Sequence, residues 1–251
     1  MLGRYQRNTK HVQVLVVIDD RIVSAADIHA AVLKTGVSIE QANMYRVKRN
    51  TVVFNAFAVV DGAGATPERL EGALRGIKGV TDVRVAAGKD SVLVDTLTFP
   101  VVWGGERVVL MRQKAIMGVF SGIRSMLGRE GDTLLYNSGY AYGSDFIRFL
   151  TDVVGAEKLV STLGYALELF SAAGWGVTEL APDRASITVA DCFECGERKA
   201  SKGICSFMRG MLTGFMEPTT RRQFHMKEVE CRAKGDDKCV FLLDSGRGTT
   251  G

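Results

Sequence analysis

The chain has 251 residues, and 46% of them are hydrophobic, which is enough for one or two ordinary globular cores. Its 32 basic and 28 acidic residues are mixed along the chain and leave a formal net charge of +4, so no segment has the basic density of a nucleic-acid-binding surface. No apolar run reaches the roughly 18 residues that would span a membrane. We therefore expect a soluble, cytoplasmic protein that contacts neither nucleic acid nor membrane directly.

The first third of the chain alternates strand-like and helix-like patterns. The predicted elements are a strand over residues 11–18, a helix over 24–35, strands over 37–49 and 51–60, a helix over 66–77 and a strand over 80–85. Ser24 and Thr66 are the expected N-caps of the two helices. The order βαββαβ predicts a ferredoxin-like domain over residues 10–90, preceded by a flexible tail over residues 1–9.

This first domain resembles an ACT domain, a regulatory module that often binds amino acids at its first strand–helix junction. The likeness covers residues 10–88. At the junction the sequence reads Asp19-Asp-Arg-Ile-Val-Ser-Ala-Ala-Asp-Ile28, where amino-acid-binding members usually have a glycine. The β-branched Val23 would crowd the approach of a ligand to the backbone. Packing or dimerisation is therefore the expected role of this domain.

The rest of the chain, residues 91–245, reads as a second domain, followed by a short tail over 246–251. The predicted elements are a strand over 91–97, a short strand and then a helix within 106–127, helices over 133–154, 156–173 and 204–217, strands over 175–180 and 185–190, and a C-terminal β-hairpin with Gly235 in its loop. We expect the first of these helices to be largely buried. Helices packed on an antiparallel sheet would make the whole chain an α+β protein.

Motifs for catalysis or nucleotide binding are not found in the sequence. The glycines Gly139, Gly143, Gly210 and Gly214 are paired at four-residue spacing, which predicts a close approach of helices within or between protomers. They lack the context of a Walker or Gly-x-Gly-x-x-Gly phosphate loop. The three histidines are too few and too badly placed to supply a general base. We predict no catalytic residues.

All five cysteines lie between Cys192 and Cys239. Their charged neighbours, which argue against simple apolar burial, are Asp191, Glu194, Glu197, Lys199, Lys202, Lys234, Asp236 and Asp237. The odd number of cysteines and the lack of a signal-peptide pattern argue against a disulfide framework. A metal site is the natural interpretation, with zinc as the metal.

One set of ligands follows from the hairpin. Cys231 and Cys239 bracket its turn and approach each other across it, and Cys205 comes from the start of a helix, where the N-terminus favours a thiolate. Glu228 supplies a carboxylate, and a bulge would help it to reach the same ion. We name Cys205, Glu228, Cys231 and Cys239 the three-sulfur group. Its four ligands would close a structural site and leave no position for a catalytic water.

A second set of ligands remains open. Cys192 and Cys195 form a Cys-x-x-Cys pair, which is typical of zinc knuckles, and could join Cys231 and Cys239 in a site with four sulfur ligands. Glu230 is an alternative to the carboxylate of the three-sulfur group. A redox-active Cys-x-x-Cys pair and inert thiols are the remaining interpretations of the cluster.

The spacing of the three-sulfur group resembles the V4R (4-vinyl reductase) domain, a small-molecule-binding module of archaeal proteins and of phenol- and xylene-responsive transcription activators. The runs Arg107-Val-Val-Leu-Met-Arg-Gln and Asn137-Ser-Gly-Tyr-Ala-Tyr-Gly143 are similar to the opening strand and helix of that family. The likeness covers about residues 92–245. It implies the fold of the nitric-oxide-signalling and Golgi-transport ligand-binding superfamily, with zinc held by three cysteines and one glutamate at the C-terminal hairpin.

The resemblance also implies an apolar pocket between the helices and the sheet. The candidate lining residues are Phe120, Tyr136, Tyr140, Phe146, Phe149, Phe170, Trp175, Phe207, Met208 and Met211. Ordinary core packing is the alternative for each of them. Between His29 and His225 there is no histidine, so the phenol-binding histidine and the haem ligand of related sensors are not carried over. The expected ligand is a hydrocarbon, an aromatic or a lipid-like molecule.

Two sensor-like modules in one chain predict a ligand-sensing regulatory protein. No helix-turn-helix or ATPase pattern accompanies them, so the signal would pass through a homodimer or a regulatory partner. An accessory subunit or enzyme of tetrapyrrole vinyl reduction is one alternative, although no reductant-binding motif supports it. An adaptor whose pocket is filled by its own side chains is the other.

Overall fold

The computed structural model describes residues 3–5, 10–60, 64–88, 92–98, 102–103, 106–154, 159–182, 185–220 and 225–244. The chain divides into two compact units, Met1–Val108 and Val109–Gly251. The predicted domain junction at residues 90 and 91 and the predicted tail over 246–251 lie outside the described residues. Within the described part of the chain, no helix is long and apolar enough to cross a membrane.

The first unit is built on a four-stranded antiparallel sheet and two helices. Its elements are β1 (Gly3–Tyr5), β2 (His11–Asp19), α1 (Ala25–Lys34), β3 (Val37–Lys48), β4 (Thr51–Val60), α2 (Pro67–Arg75), β5 (Val80–Ala87), β6 (Val92–Val94), β7 (Val102–Trp103) and β8 (Glu106–Arg107). The sheet has the strand order β3-β4-β2-β5. The sequence β2-α1-β3-β4-α2-β5 is the predicted βαββαβ order, and an ACT-like relationship stays a prediction.

Local sequence signals account for the starts of both helices in this unit. Ser24 Oγ accepts a hydrogen bond from the Asp27 amide at 3.2 Å, and Asp27 Oδ2 accepts one from the Ser24 amide at 3.0 Å, which makes a capping box. Thr66 Oγ1 accepts a hydrogen bond from the Arg69 amide at 3.1 Å, and Pro67 occupies the first turn. Both predicted N-caps are confirmed.

Apolar side chains fill the junction between β2 and α1. Gly79 lies beside it with a φ of 95°, and a Cβ at Gly79 would come within 3.0 Å of the side chains of Ile22 and Val23. Val23 itself is buried. This packing agrees with the crowding that the sequence predicts at the place where ACT domains often bind amino acids.

The N-terminal residues differ from the predicted flexible tail. Gly3–Tyr5 forms β1, which pairs antiparallel with β6 and places Gly3 opposite Val94. The chain after β6 is held to the sheet, because Asp95 accepts a hydrogen bond from the buried side chain of Gln13 at 2.6 Å. A strand of three residues has no periodicity of its own, and its partner lies far along the chain, so local patterns do not reveal it.

The second unit combines four helices with a four-stranded antiparallel sheet. Its elements are α3 (Gln113–Leu127), α4 (Arg129–Val154), α5 (Leu159–Ala172), β9 (Val177–Leu180), β10 (Ser186–Ala190), α6 (Ser206–Thr220), β11 (His225–Glu230), a 3-10 turn (Arg232–Lys234) and β12 (Cys239–Asp244). The strand order is β11-β12-β10-β9. Helices and an antiparallel sheet are both present as predicted, so the α+β class is confirmed.

The short strand and helix predicted within residues 106–127 are both present, but the helix is more exposed than expected. α3 begins at Gln113, after the two-residue strand β8. All of its residues are described, and of these Phe120 is the one that is buried, whereas Met126 is 77% exposed. Because the apolar residues of α3 occupy more than one face, their spacing does not show which face packs on the core.

Two pairs of glycines bring α4 and α6 into close contact. They are Gly139 and Gly143 in α4 and Gly210 and Gly214 in α6. A Cβ added to any of them would lie within 3.0 Å of a backbone carbonyl oxygen of the other helix. Those oxygens belong to Phe207, Met211, Tyr136 and Tyr140. The predicted close approach of helices therefore occurs within one chain, and it fixes the position of α6.

Candidate metal centre

Five cysteines from separate parts of the second unit meet in one cluster. Cys192 and Cys195 lie in the turn after β10, Cys205 directly precedes α6, Cys231 follows β11, and Cys239 begins β12. Each of the five is 0% exposed, and all are free thiols. The hairpin of β11 and β12, the start of α6 and the Cys-x-x-Cys turn therefore face one another at this point.

The sulfur–sulfur distances have the spacing of a metal site. The Sγ atom of Cys205 is 3.7 Å from that of Cys192. It is 3.9 Å from the Sγ atoms of Cys231 and Cys239. Cys195 Sγ is 3.5 Å from Cys239 Sγ. Neighbouring sulfurs of a tetrahedral zinc site with Zn–S bonds of about 2.3 Å are about 3.8 Å apart. The cluster could therefore hold a metal ion.

Two groups of four residues could hold a metal ion, and within each group the four ligand atoms lie within 4.8 Å of one another. One is the three-sulfur group predicted from the hairpin. The other consists of Cys192, Cys195, Cys205 and Cys239, which we name the four-sulfur group. The sequence had placed Cys231 in this second group instead of Cys205. The sheet accounts for the exchange: β12 lies between β10 and β11, so its Cys239 is next to the Cys-x-x-Cys turn, and Cys231 is one strand further away.

Glu228 reaches the cluster through a β-bulge. The register of β11 against β12 shifts between Glu228 and Glu230, as the sequence predicted for this position. Glu228 Oε2 accepts a hydrogen bond from the Cys205 amide at 3.1 Å. Its buried Oε1 finds no hydrogen-bond partner among the described residues. An unpaired carboxylate oxygen beside thiols is the arrangement expected of a fourth metal ligand. Glu230, the alternative carboxylate, is exposed.

The electrostatics of the cluster also favour a cation. Burial, together with contact with the Cys231 thiol, raises the pKa of the Glu228 carboxyl to about 8. Contact with Cys192 and the other thiols, together with burial, raises the pKa of Cys205. Contact with Cys192 and Cys195 raises that of Cys239. A divalent cation would stabilise the ionised form of each group, because thiolates and carboxylates are the forms that bind metals.

The sequence analysis counted Glu194 among the charged residues that argue against burial near the cysteines, but Glu194 is itself buried. It is 0% exposed, and its Oε1 accepts hydrogen bonds from Arg124 at 2.7 Å and from the Phe207 amide at 3.2 Å. Its Oε2 accepts the Met208 amide at 2.8 Å. Burial raises the pKa of Glu194, while the Met208 amide and Arg124 oppose that shift. The carboxylate thus caps the start of α6. The available sequence signal was that Cys205, directly before this helix, is a poor N-cap, so a side chain from elsewhere must accept the first amides.

A cluster of aromatic rings adjoins the cysteines. Phe193 lies within the Cys-x-x-Cys turn, and Phe207 is two residues after Cys205. The ring of Trp175 is 4.7 Å from Phe193 and 5.9 Å from Phe207, centroid to centroid. The ring of Phe120 is 5.1 Å from Phe207. The segments that carry the cysteines therefore also carry two rings of this cluster.

Five of the predicted pocket residues belong to one chain of ring contacts with Tyr142 and Phe193. They are Phe120, Phe146, Phe170, Trp175 and Phe207. Tyr136 and Tyr140 lie at the crossing of α4 and α6, and Met208 and Met211 are fully buried in α6. Phe149 packs, half-buried, against the same core. Tyr142 and Phe193 were not among the predicted pocket residues. For Phe193, the available signal was its position within the Cys-x-x-Cys pair.

Comparisons with known proteins agree with the C-terminal pattern. Residues 185–244 match the model of the V4R domain, a narrower span than the resemblance over 92–245. The uncharacterized protein MJ0150 of Methanocaldococcus jannaschii is 23% identical over 131 residues, which are 51% of this chain and 74% of that protein. The uncharacterized protein MJ0745 of the same organism is 29% identical over 58 residues, 23% of this chain and 32% of that protein.

Among solved structures, a vinyl-4-reductase family protein from Methanocaldococcus jannaschii has a TM-score of 0.38 and 19% identity, covering 56% of this chain and 84% of its own. The phenol-responsive sensory domain of the transcription activator PoxR, solved with phenol, has a TM-score of 0.48 and 18% identity, covering 56% of this chain and 78% of its own. The match to the family model includes all five cysteines. Residues 185–244, which carry the candidate metal ligands, are thus the part of the chain that matches the V4R domain.

Proposed function

We propose that this chain is a ligand-sensing regulatory protein of the cytoplasm. Its V4R domain would hold zinc in the cysteine cluster and bind a small apolar molecule, such as a hydrocarbon, an aromatic or a lipid-like compound. The signal would pass through a homodimer or a regulatory partner. One observation carries this proposal: Phe193 and Phe207, which extend from the cysteine-bearing segments, pack against Trp175 at 4.7 and 5.9 Å.

The three-sulfur group suits a structural zinc ion. Three thiolates and the Glu228 carboxylate fill the four positions of a tetrahedral site, so none is left for water or substrate. Bound there, zinc would supply a rigid link between the β11–β12 hairpin and the start of α6, but no catalytic chemistry. The unpaired Glu228 Oε1 fits the group, because a cation would satisfy it.

The aromatic cluster offers an apolar molecule flat surfaces of the kind that ligand pockets use. Phe207 lies in the first turn of α6, and the backbone of α6 touches that of α4 through the glycine pairs. A ligand that displaces the ring of Phe207 would therefore shift α4 and α6 together, because two helices in backbone contact move as one body. We propose that a partner protomer or protein reads this change.

Trp175 allows a direct test of ligand binding. The chain has two tryptophans, so Trp103→Phe leaves Trp175 as the single reporter. We expect toluene and decanoate, as aromatic and lipid-like probes, to change Trp175 fluorescence saturably and to raise Tm in the Trp103→Phe protein. As a control, Tyr165→Leu at an exposed position of α5 should leave the response of the Trp103→Phe protein to both probes unchanged. Fluorescence that stays unchanged up to the solubility limit of both probes would contradict the sensor and favour an adaptor.

A further inference from the structure

Building on the zinc site of the proposed function, we propose that the cysteine cluster holds two metal ions, bridged by the thiolates of Cys205 and Cys239. Neither the V4R match nor the three-cysteine, one-glutamate pattern assigns a second ion. The metal class is a divalent, thiolate-binding cation, with zinc as the first candidate.

The two groups of ligand atoms overlap in the way that a binuclear site requires. The three-sulfur group and the four-sulfur group share Cys205 and Cys239, whose Sγ atoms are 3.9 Å apart. On binding two ions, these sulfurs would draw together to about 3.2 Å, because at 3.9 Å two ions with Zn–S bonds of about 2.3 Å would lie only about 2.4 Å apart. Two tetrahedra that share the edge between these sulfurs would each be complete. Cys192 and Cys195 would be the terminal ligands of one ion, and Glu228 and Cys231 those of the other.

A single ion would leave buried ligand groups unused. If it occupied the three-sulfur group, two fully buried thiols would remain in contact with its thiolates, Cys192 at 3.7 Å from Cys205 and Cys195 at 3.5 Å from Cys239. If it occupied the four-sulfur group, Cys231 and the unpaired Oε1 of Glu228 would remain without a cation. In the first case Cys192 and Cys195 would serve only as weak hydrogen-bond donors to the thiolates, whereas in the second case Glu228 Oε1 without a cation would be an unfavourable unpaired polar atom. Two ions use every one of the six ligands.

The charge balance is compatible with two divalent ions. Five thiolates and one carboxylate carry six negative charges, and two divalent cations return four, which leaves two. A single divalent ion on the three-sulfur group, with four negative ligands, leaves the same two. Arg198 interacts electrostatically with Cys195 and Cys205, and its buried Nε finds no hydrogen-bond acceptor among the described residues. The positive charge of Arg198 would stabilise the two negative charges that remain on the metal cluster.

The close sulfur contacts favour thiolate bridges over inorganic sulfide. An iron–sulfur cluster places sulfide ions between its irons, which separates the cysteines bound to different irons. Here the terminal ligand Cys192 is 3.7 Å from the bridging Cys205, and Cys231 on the opposite side is 3.9 Å from the same atom. Direct bridging through Cys205 matches this geometry.

Metal stoichiometry tests the second ion. The full chain would be produced in zinc-supplemented medium, reduced, and measured by native mass spectrometry and elemental analysis. We expect two zinc ions per chain. The double variant Cys192→Ser/Cys195→Ser should retain one, and Cys239→Ser, which removes a bridge, should lose both. Glu228→Gln should lose the ion that Glu228 and Cys231 hold. Glu230→Gln, the matched control at an exposed carboxylate two residues away, should keep both ions.

The outcomes separate the second ion from the proposed function. One zinc per chain in the unaltered protein would overturn the binuclear site and leave the structural zinc in place, whereas no zinc would overturn both. Two zinc ions that persist in the double variant would place the second ion elsewhere and contradict the bridge. If the variants do not fold, titration of the metal-free, unaltered protein with Co²⁺ decides. Thiolate-to-cobalt absorption should rise to a break at two equivalents, and a break at one would overturn the second ion.

Discussion

Glu194 places a buried carboxylate at the first turn of α6, directly after the residue that supplies the central thiol. It accepts hydrogen bonds from two backbone amides and from Arg124, which also donates to the carbonyl oxygen of Ile204 at 2.8 Å. These bonds hold the peptide on both sides of Cys205. The position of that thiol therefore depends on a charge pair as well as on any metal.

We expect Glu194→Gln to lower the free energy of unfolding of the second unit by about 3 kcal/mol, because it removes the fully buried one of the two carboxylates that pair with Arg124, the other being Asp132. Urea denaturation followed by Trp175 fluorescence in the Trp103→Phe protein would measure the change. Glu197→Gln, three residues away and exposed, is the matched control and should change stability by less than about 0.5 kcal/mol. Equal effects of the two substitutions would contradict the capping role.

At this scale the sequence predicts the ligand types better than their neighbours. Cys231 and Cys239 flank a recognisable turn, and the bulge that turns Glu228 inward follows from its three-residue offset from Cys231. The exchange of Cys231 for Cys205 in the four-sulfur group depends on which strand β12 pairs with, and local spacing carries no such information. The burial of Glu194 depends on Arg124, which is 70 residues away in the sequence.

The crossing of α4 and α6 is the element-scale feature on which the proposed signal depends. Its backbone contact is possible because four positions lack a Cβ. The same spacing in the sequence predicted a close approach without naming the partners. The hairpin was predictable for a similar reason, since Gly235 adopts a φ of 106° in its loop. The pairing of β1 with β6 was not, because short strands far apart in sequence show no joint pattern.

Gly143→Ala should destabilise the second unit by about 2 kcal/mol, because the new methyl group would overlap the carbonyl oxygen of Met211 and force the helices apart. Gly118→Ala in α3 is the matched control, since its Cβ would meet no atom within 4 Å, and a gain of up to about 1 kcal/mol is expected there. Thermal or urea unfolding would measure both. A Gly143→Ala protein as stable as Gly118→Ala would contradict the close crossing.

The whole molecule consists of two units, each with its own hydrophobic core. The core of the first includes Val14, Ile28 and Leu70, and that of the second includes the five cysteines together with Phe215 and Phe241. Separate cores predict separate unfolding transitions, of which one should depend on metal. The change from a βαββαβ order to a helix-rich pattern predicted this division from the sequence. The pairing of β1 with β6 within the first unit was not predicted.

We expect Cys231→Ser to release metal and to destabilise the second unit by several kcal/mol, while the transition of the first unit keeps its Tm, because metal binding and folding are coupled. Leu70→Ala, which opens a cavity in the first core, should do the reverse and cost about 2–5 kcal/mol there. Scanning calorimetry of the two variants would resolve the transitions. A Cys231→Ser protein that keeps its metal and the Tm of its second unit would contradict the site.

We propose that metal bound by the five cysteines and Glu228 holds the hairpin of β11 and β12 against α6. Zinc K-edge X-ray absorption of the purified full chain tests it most directly, because the method reads the atoms around the metal. We expect the atoms bound to the metal to be mainly sulfur at about 2.3 Å, with a minor oxygen contribution. A shell of nitrogen and oxygen alone, or a purified chain that retains no zinc, would contradict it.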